Sequence, residues 1–107
     1  MNKKYNLKKN IELCIDSICF NIVFSKHALY RVKERNIELE DIIESLSNPV
    51  QILYDTWKDL YIAVASKGSA IVYAFRGGYL EIVTVLGKRE FNVLLRKYGN
   101  KRYKVMS

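Results

Sequence analysis

The hydrophobic positions change period several times along the chain. Ile11-Glu12-Leu13-Cys14-Ile15 alternates imperfectly, Asp16-Ser17 reads as a turn, and Ile18 to Phe24 is rich in β-formers. Together they predict a hairpin. Ser25 is a natural N-cap for a helix from Lys26 to about Arg35, and Asn36 suits the left-handed conformation that ends one. A second helix is predicted from about Glu38 to Ser47. Leu39, Ile42, Ile43 and Leu46 fall there at i, i+3, i+4 and i+7, one buried stripe. Glu38, Glu40 and Asp41 sit in its first turn, where the helix dipole favours acids. Asn48-Pro49 ends it, because the residue before proline is pushed out of the helical region.

From Val50 the period becomes that of strands. Val50 to Tyr54, Leu60 to Ser66, Ala70 to Arg76 and Tyr79 to Leu86 are runs of strand-formers, separated by polar or glycine-bearing turns. Gly77-Gly78 is the strongest hairpin signal. A last helix is predicted from about Lys88 to Tyr98, with Phe91, Leu94, Leu95 and Tyr98 on one face and Gly99 as its cap. The expected fold is α+β: two or three helices on one face of an antiparallel sheet of about four strands, plus an extra N-terminal hairpin. Residues 11–99 form the expected single domain, between a basic segment (1–10) and a basic tail (100–107).

With 107 residues the chain suits one domain. Half the residues are hydrophobic and 27% are charged, which excludes a disordered chain. No apolar run reaches the ~18 residues of a transmembrane helix, so no membrane partner is expected. The first 24 residues imitate a signal peptide, but Glu12 and Asp16 interrupt its apolar stretch and no small-residue cleavage site follows. The expected compartment is the cytoplasm. The net charge of +7 is concentrated at the ends. Residues 1–10 and 88–107 carry 11 of the 18 Lys and Arg and one acid, Glu90, whereas the middle is mildly acidic. Clustered cations release counterions from phosphates, which favours a nucleic-acid partner. Lys88, Arg89, Arg96, Lys97, Lys101 and Arg102 are the candidate contacts.

Candidate chemistry is sparse. His27, Arg31 and Arg35 recur every four residues on the first helix, beside the apolar sector of Ala28, Leu29 and Val32. Imidazole exchanges protons near pH 7, and guanidinium grips phosphate through paired hydrogen bonds. Two Cys and one His do not supply a usual zinc site, and no glycine-rich phosphate loop is present, so neither metal nor cofactor is expected. With a two-residue hairpin loop, Cys14 faces Cys19 in a non-hydrogen-bonded pair close enough to bridge. A reducing cytosol favours instead two buried free thiols.

One resemblance rests on Ser25-Lys26-His27-Ala28, Arg31, Arg35, Ile37, Glu40-Asp41-Ile42, Asn48-Pro49 and Ile82-Val83-Thr84-Val85. This order resembles a family of small prokaryotic and phage domains with an H-A-x-x-R-x-x-x-R helix, an acidic helix ending in Asn-Pro, and a late V-T-V-like strand. The family itself resembles RelE- and BrnT-like toxins, which pack helices on a small antiparallel sheet and cleave RNA without metal. The match spans residues 25 to 86. Asn36 stands where the family usually has Gly, and Glu38 where it has Ser.

The resemblance implies a RelE-like fold, an antitoxin partner, and catalytic roles for His27, Arg31, Arg35 and Thr84. His27 would be the acid or base, and the arginines would hold the scissile phosphate. Tyr73 and Tyr79 offer candidate stacking faces. The resulting expectation is an RNA-binding, toxin-like protein, with metal-independent endoribonuclease activity as its catalytic form. The alternative is a non-catalytic nucleic-acid-binding or regulatory module of a virus, phage or plasmid. A third reading is a protein-interaction module using the acidic second helix.

Overall fold

In the computed structural model, which describes residues 11–107, the elements follow in the order β1 (Ile11–Ile15), β2 (Ile18–Phe24), α1 (Lys26–Glu34), α2 (Leu39–Ser47), β3 (Gln51–Asp55), β4 (Leu60–Val64), β5 (Ala70–Arg76), β6 (Tyr79–Leu86), α3 (Lys88–Tyr98), a 3-10 turn (Gly99–Lys101) and β7 (Tyr103–Val105). The basic segment 1–10 lies outside the described residues. No described helix is long and apolar enough to cross a membrane.

The expectation of about four antiparallel strands is corrected by a seven-stranded mixed sheet of order β1-β2-β6-β5-β4-β3-β7. The N-terminal hairpin is part of that sheet, because β2 pairs in parallel with β6 from Asn21↔Tyr79 to Phe24↔Ile82. At the far edge β7 pairs with β3, bringing Tyr103 opposite Asp55. The segment read as a tail therefore contributes a strand, and Tyr103 is buried.

The helices also cover both faces of the sheet, where one covered face was expected. Ala28 and Val32 of α1 and Ile42 and Leu46 of α2 pack with Leu13, Ile22, Ile71, Tyr73, Leu80 and Ile82. On the other face, Phe91 of α3 and Tyr103 pack with Leu53, Leu60, Ile62, Val64 and Val72. Every residue from Ala70 to Ala74 is buried. A strand apolar on both sides needs cover on both.

The turns explain the registers. Asp16 and Ser17 both take positive φ, 51° and 70°, the type I′ geometry that matches strand twist. Ile15 therefore faces Ile18, and Cys14 faces Cys19. The two cysteines are disulfide-bonded and exposed, which replaces the expectation of buried free thiols. The solvent-facing side of an edge hairpin cannot bury them. At Gly77-Gly78 only Gly77 has positive φ, 62°, the pattern of a type II′ turn.

Candidate nucleic-acid interface

Strand β2 ends at Phe24, leaving the edge of β6 beyond Ile82 without a strand partner. Helix α1 takes its place. The Ser25 N–H donates to Ile82 O at 3.0 Å, and its hydroxyl donates to Val83 O at 2.8 Å. The same oxygen accepts from the Ala28 N–H at 3.0 Å as the N-cap. Six residues later, Arg31 Nε donates to Val85 O at 2.8 Å. Ser25 and Arg31 thus satisfy the carbonyls of Ile82, Val83 and Val85 along the bare edge, which a buried backbone requires.

The arginines of α1 are then claimed by α3. Arg31 donates to both carboxylate oxygens of Glu90, at 2.5 and 2.6 Å, and Arg35 reaches Glu90 Oε1 at 2.6 Å. Glu90 Oε1 also accepts from the Gly87 N–H at 2.9 Å, closing the first turn of α3. The Arg35 hydrogen bond holds the Glu90 carboxyl down to about 2, with Gly87 and Arg31 acting in the same sense against burial. Because this carboxyl sits below its usual range when folded, its contribution is full above pH ~4.5 and is lost as pH falls toward 2. Asp55 is lowered too and acts with the same sign. Urea midpoints of the wild type are expected to fall through this acid window, and those of Glu90→Gln to fall less.

The four residues assigned catalytic roles do not converge. Arg31 is largely buried and serves as a structural tie. Arg35 is half-exposed, with one nitrogen engaged by Glu90. His27 lies exposed in the first turn of α1, and no hydrogen bond or ion pair among the described residues involves it. Thr84 faces the other side of the sheet. Val72 pairs with Thr84 and Tyr73 with Ile82, so Val83 is an extra residue that shifts the register. Thr84 thereby shares the face of Val72, packed under α3, away from α1. Its hydroxyl is buried without a hydrogen-bond partner among the described residues. Thr84→Val removes an unsatisfied polar atom at nearly constant shape, and a gain of about 1 kcal/mol in urea unfolding is expected.

The cations of α3 are arranged differently. Phe91, Leu94, Leu95 and Tyr98 turn toward the core, leaving Lys88, Arg89, Arg96 and Lys97 exposed with Asn92 and Val93 between them. Lys88 lays its stem across the β4–β5 turn. A Cβ added at Gly68, where φ is +96°, would stand 2.8 Å from Lys88 Cγ, so this position needs glycine.

Arg102 is not a free phosphate ligand. It donates Nε and a terminal nitrogen to the two oxygens of buried Asp55, at 2.9 and 2.8 Å, and only 11% of its side chain is exposed. Its guanidinium lies 4.8 Å from the Tyr98 ring centroid and 5.2 Å from those of Trp57 and Tyr103. Lys101 is exposed. Tyr73 is buried and stacked on Tyr61, which excludes it as a stacking surface, whereas Tyr79 is exposed beside the Gly77-Gly78 turn.

A half-open cleft of about 440 Å³ separates α2 from the β4–β5 turn, with Arg35, Asp41, Glu44, Ser45, Lys67 and Gly87 among its walls. Neither His27, Arg31 nor Thr84 lines it. Its polar rim carries both signs of charge, and buried Ser45 already donates to Asp41 O at 2.7 Å.

No family model, curated protein or solved structure matches this chain. Sequence reasoning did not anticipate the Asp55–Arg102 pair or the packing of Trp57 on it. Asp55 gave one signal, an acid closing a β-run four residues before Asp59, but its partner lies 47 residues away.

Proposed function

We propose that this protein is a nucleic-acid-binding module, with RNA the favoured partner, and that the outward face of α3 is its principal contact surface. The supporting observation is the segregation of charge on that helix. Its single acid, Glu90, is paired with Arg31 and Arg35, while Lys88, Arg89, Arg96 and Lys97 remain exposed. Eleven residues of helix extend about 16 Å, the axial length of four to five stacked nucleotides at about 3.4 Å each. Contacts of this kind position a strand without reading its sequence. An exposed Cys14–Cys19 disulfide is characteristic of an oxidising compartment, and in a cytoplasm reductant would open it to two thiols.

The test is a titration of labelled RNA with the wild type and a variant carrying Lys88→Gln, Arg89→Gln, Arg96→Gln and Lys97→Gln. Neutralisation should weaken binding by at least about tenfold and flatten the dependence of log affinity on log salt by roughly 3. Equal affinity of the two proteins would overturn the assignment.

Metal-independent RNA cleavage is a second reading, favoured by the exposed imidazole of His27, which has no hydrogen bond or ion pair among the described residues. In it, the 2′-hydroxyl attacks the adjacent phosphorus and the 5′-oxygen leaves, giving a cyclic phosphate and a free 5′-hydroxyl. The binding reading expects RNA to be recovered intact in the presence of chelator. A cyclic phosphate product that disappears with His27→Ala would establish the catalytic reading.

A further inference from the structure

The chain's single tryptophan, Trp57, lies in the connection between β3 and β4 and is 58% exposed. One exposed apolar residue needs no explanation by itself. Here the surrounding architecture supplies three further observations.

The first is that its loop is held rigidly. Asp55 Oδ1 accepts from the backbone N–H groups of Trp57 and Lys58 at 3.0 and 3.3 Å, and Asp55 O accepts from the Asp59 N–H at 2.8 Å. The Thr56 N–H and hydroxyl both donate to Arg102 O, at 2.9 and 2.8 Å. A loop backbone fixed in this way loses little entropy on binding.

The second is the backing of the indole. Arg102, anchored by Asp55, lies over the ring at 5.2 Å, and Tyr98 meets it edge-on at 5.0 Å. Arg102 lies over one face, and 58% of Trp57 still remains exposed. A cation behind an aromatic ring suits stacking of a further π-system in front.

The third is the local charge. Lys58 adjoins Trp57, Lys97 sits 5.4 Å from the Tyr98 centroid, and Lys101 is exposed in the turn that follows α3. Of the two nearby acids, Asp55 is paired with Arg102, whereas Asp59 keeps its charge and accepts from the Tyr54 hydroxyl at 2.5 Å. Tyr98 is also the last residue of α3, so the cationic helix leads directly to the indole.

We propose that Trp57 is a stacking platform for an unpaired base, and that the nucleic acid taken by this surface is single-stranded. This rests on the nucleic-acid-binding reading above and gives it a substrate class. Bases within a duplex have their faces covered by neighbours, whereas a single strand can present one to the indole. The phosphates on either side would lie along α3 and near Lys58.

The full chain is titrated with a twelve-nucleotide oligouridine and with a twelve-base-pair RNA duplex, following tryptophan emission and, separately, the anisotropy of labelled nucleic acid. Oligouridine should quench the emission in step with binding, and the duplex should bind without comparable quenching. Trp57→Leu keeps an apolar cover over Arg102 but removes the π-face. It should weaken oligouridine binding about five- to hundredfold and leave duplex binding within about twofold, with Trp57→Phe recovering part of the loss. Oligouridine binding without quenching, or an equal loss on both probes, would overturn the stacking role while leaving the α3 assignment intact. Absence of binding by either probe would remove both. If Trp57→Leu melts early as a mere lid over the ion pair, wild-type quenching still decides the question.

Discussion

Asp55→Ala is expected to destabilise the fold by about 3–5 kcal/mol, read as a fall in urea midpoint at constant slope. Asp55 is 3% exposed, and its carboxylate receives two hydrogen bonds from Arg102 and two from backbone N–H groups. Its removal leaves a guanidinium charge nearly enclosed by Trp57, Tyr98 and Tyr103, with no counter-ion in contact among the described residues. It also frees the turn that opens β4. Breaking one side of a buried pair costs more than replacing both, because the survivor keeps its desolvation penalty. A double variant, Asp55→Leu with Arg102→Met, should therefore recover a substantial part of the loss. A single-variant cost below about 1 kcal/mol would mean that water reaches the pair.

Ile42→Ala is expected to cost about 2–5 kcal/mol in the same measurement. Ile42 is 1% exposed, packed where α2 meets the sheet beside Leu46, Ile71 and Val85. Truncation loses transfer energy and leaves a cavity that the sheet, fixed by its ladders, fills only partly. Ile43, predicted from the same stripe, is only partly buried and should cost clearly less. Ser45 instead completes the buried face, its hydroxyl satisfied within the helix by Asp41 O. The pair of variants thus measures how the helix is rotated on the sheet.

The local elements were legible because each carries its own punctuation. Ser25 caps α1, Asn36 turns left-handed after it at φ 53°, and Gly77 opens the β5–β6 hairpin. What escaped depends on residues far apart in sequence. The parallel β2–β6 pairing joins segments 58 residues apart with no turn to announce it. β7 is three residues long amid cations, too short for periodicity to register. The arginines of α1 looked like phosphate ligands because Glu90, the acid that holds them, lies 55 and 59 residues onward. Residues identical in type serve as a structural clamp or a ligand site according to one distant partner. By contrast, the α3 cations were legible and remain exposed, since helical periodicity alone decides which face they share.

The most direct measurement is the salt dependence of oligouridine binding by the wild-type protein. Four to five phosphate contacts on a single strand predict that log affinity falls with log salt at a slope of roughly −3 to −3.5. A slope shallower than about −1 would mean that fewer than two phosphates are neutralised, which contradicts a cationic α3 face as the binding surface.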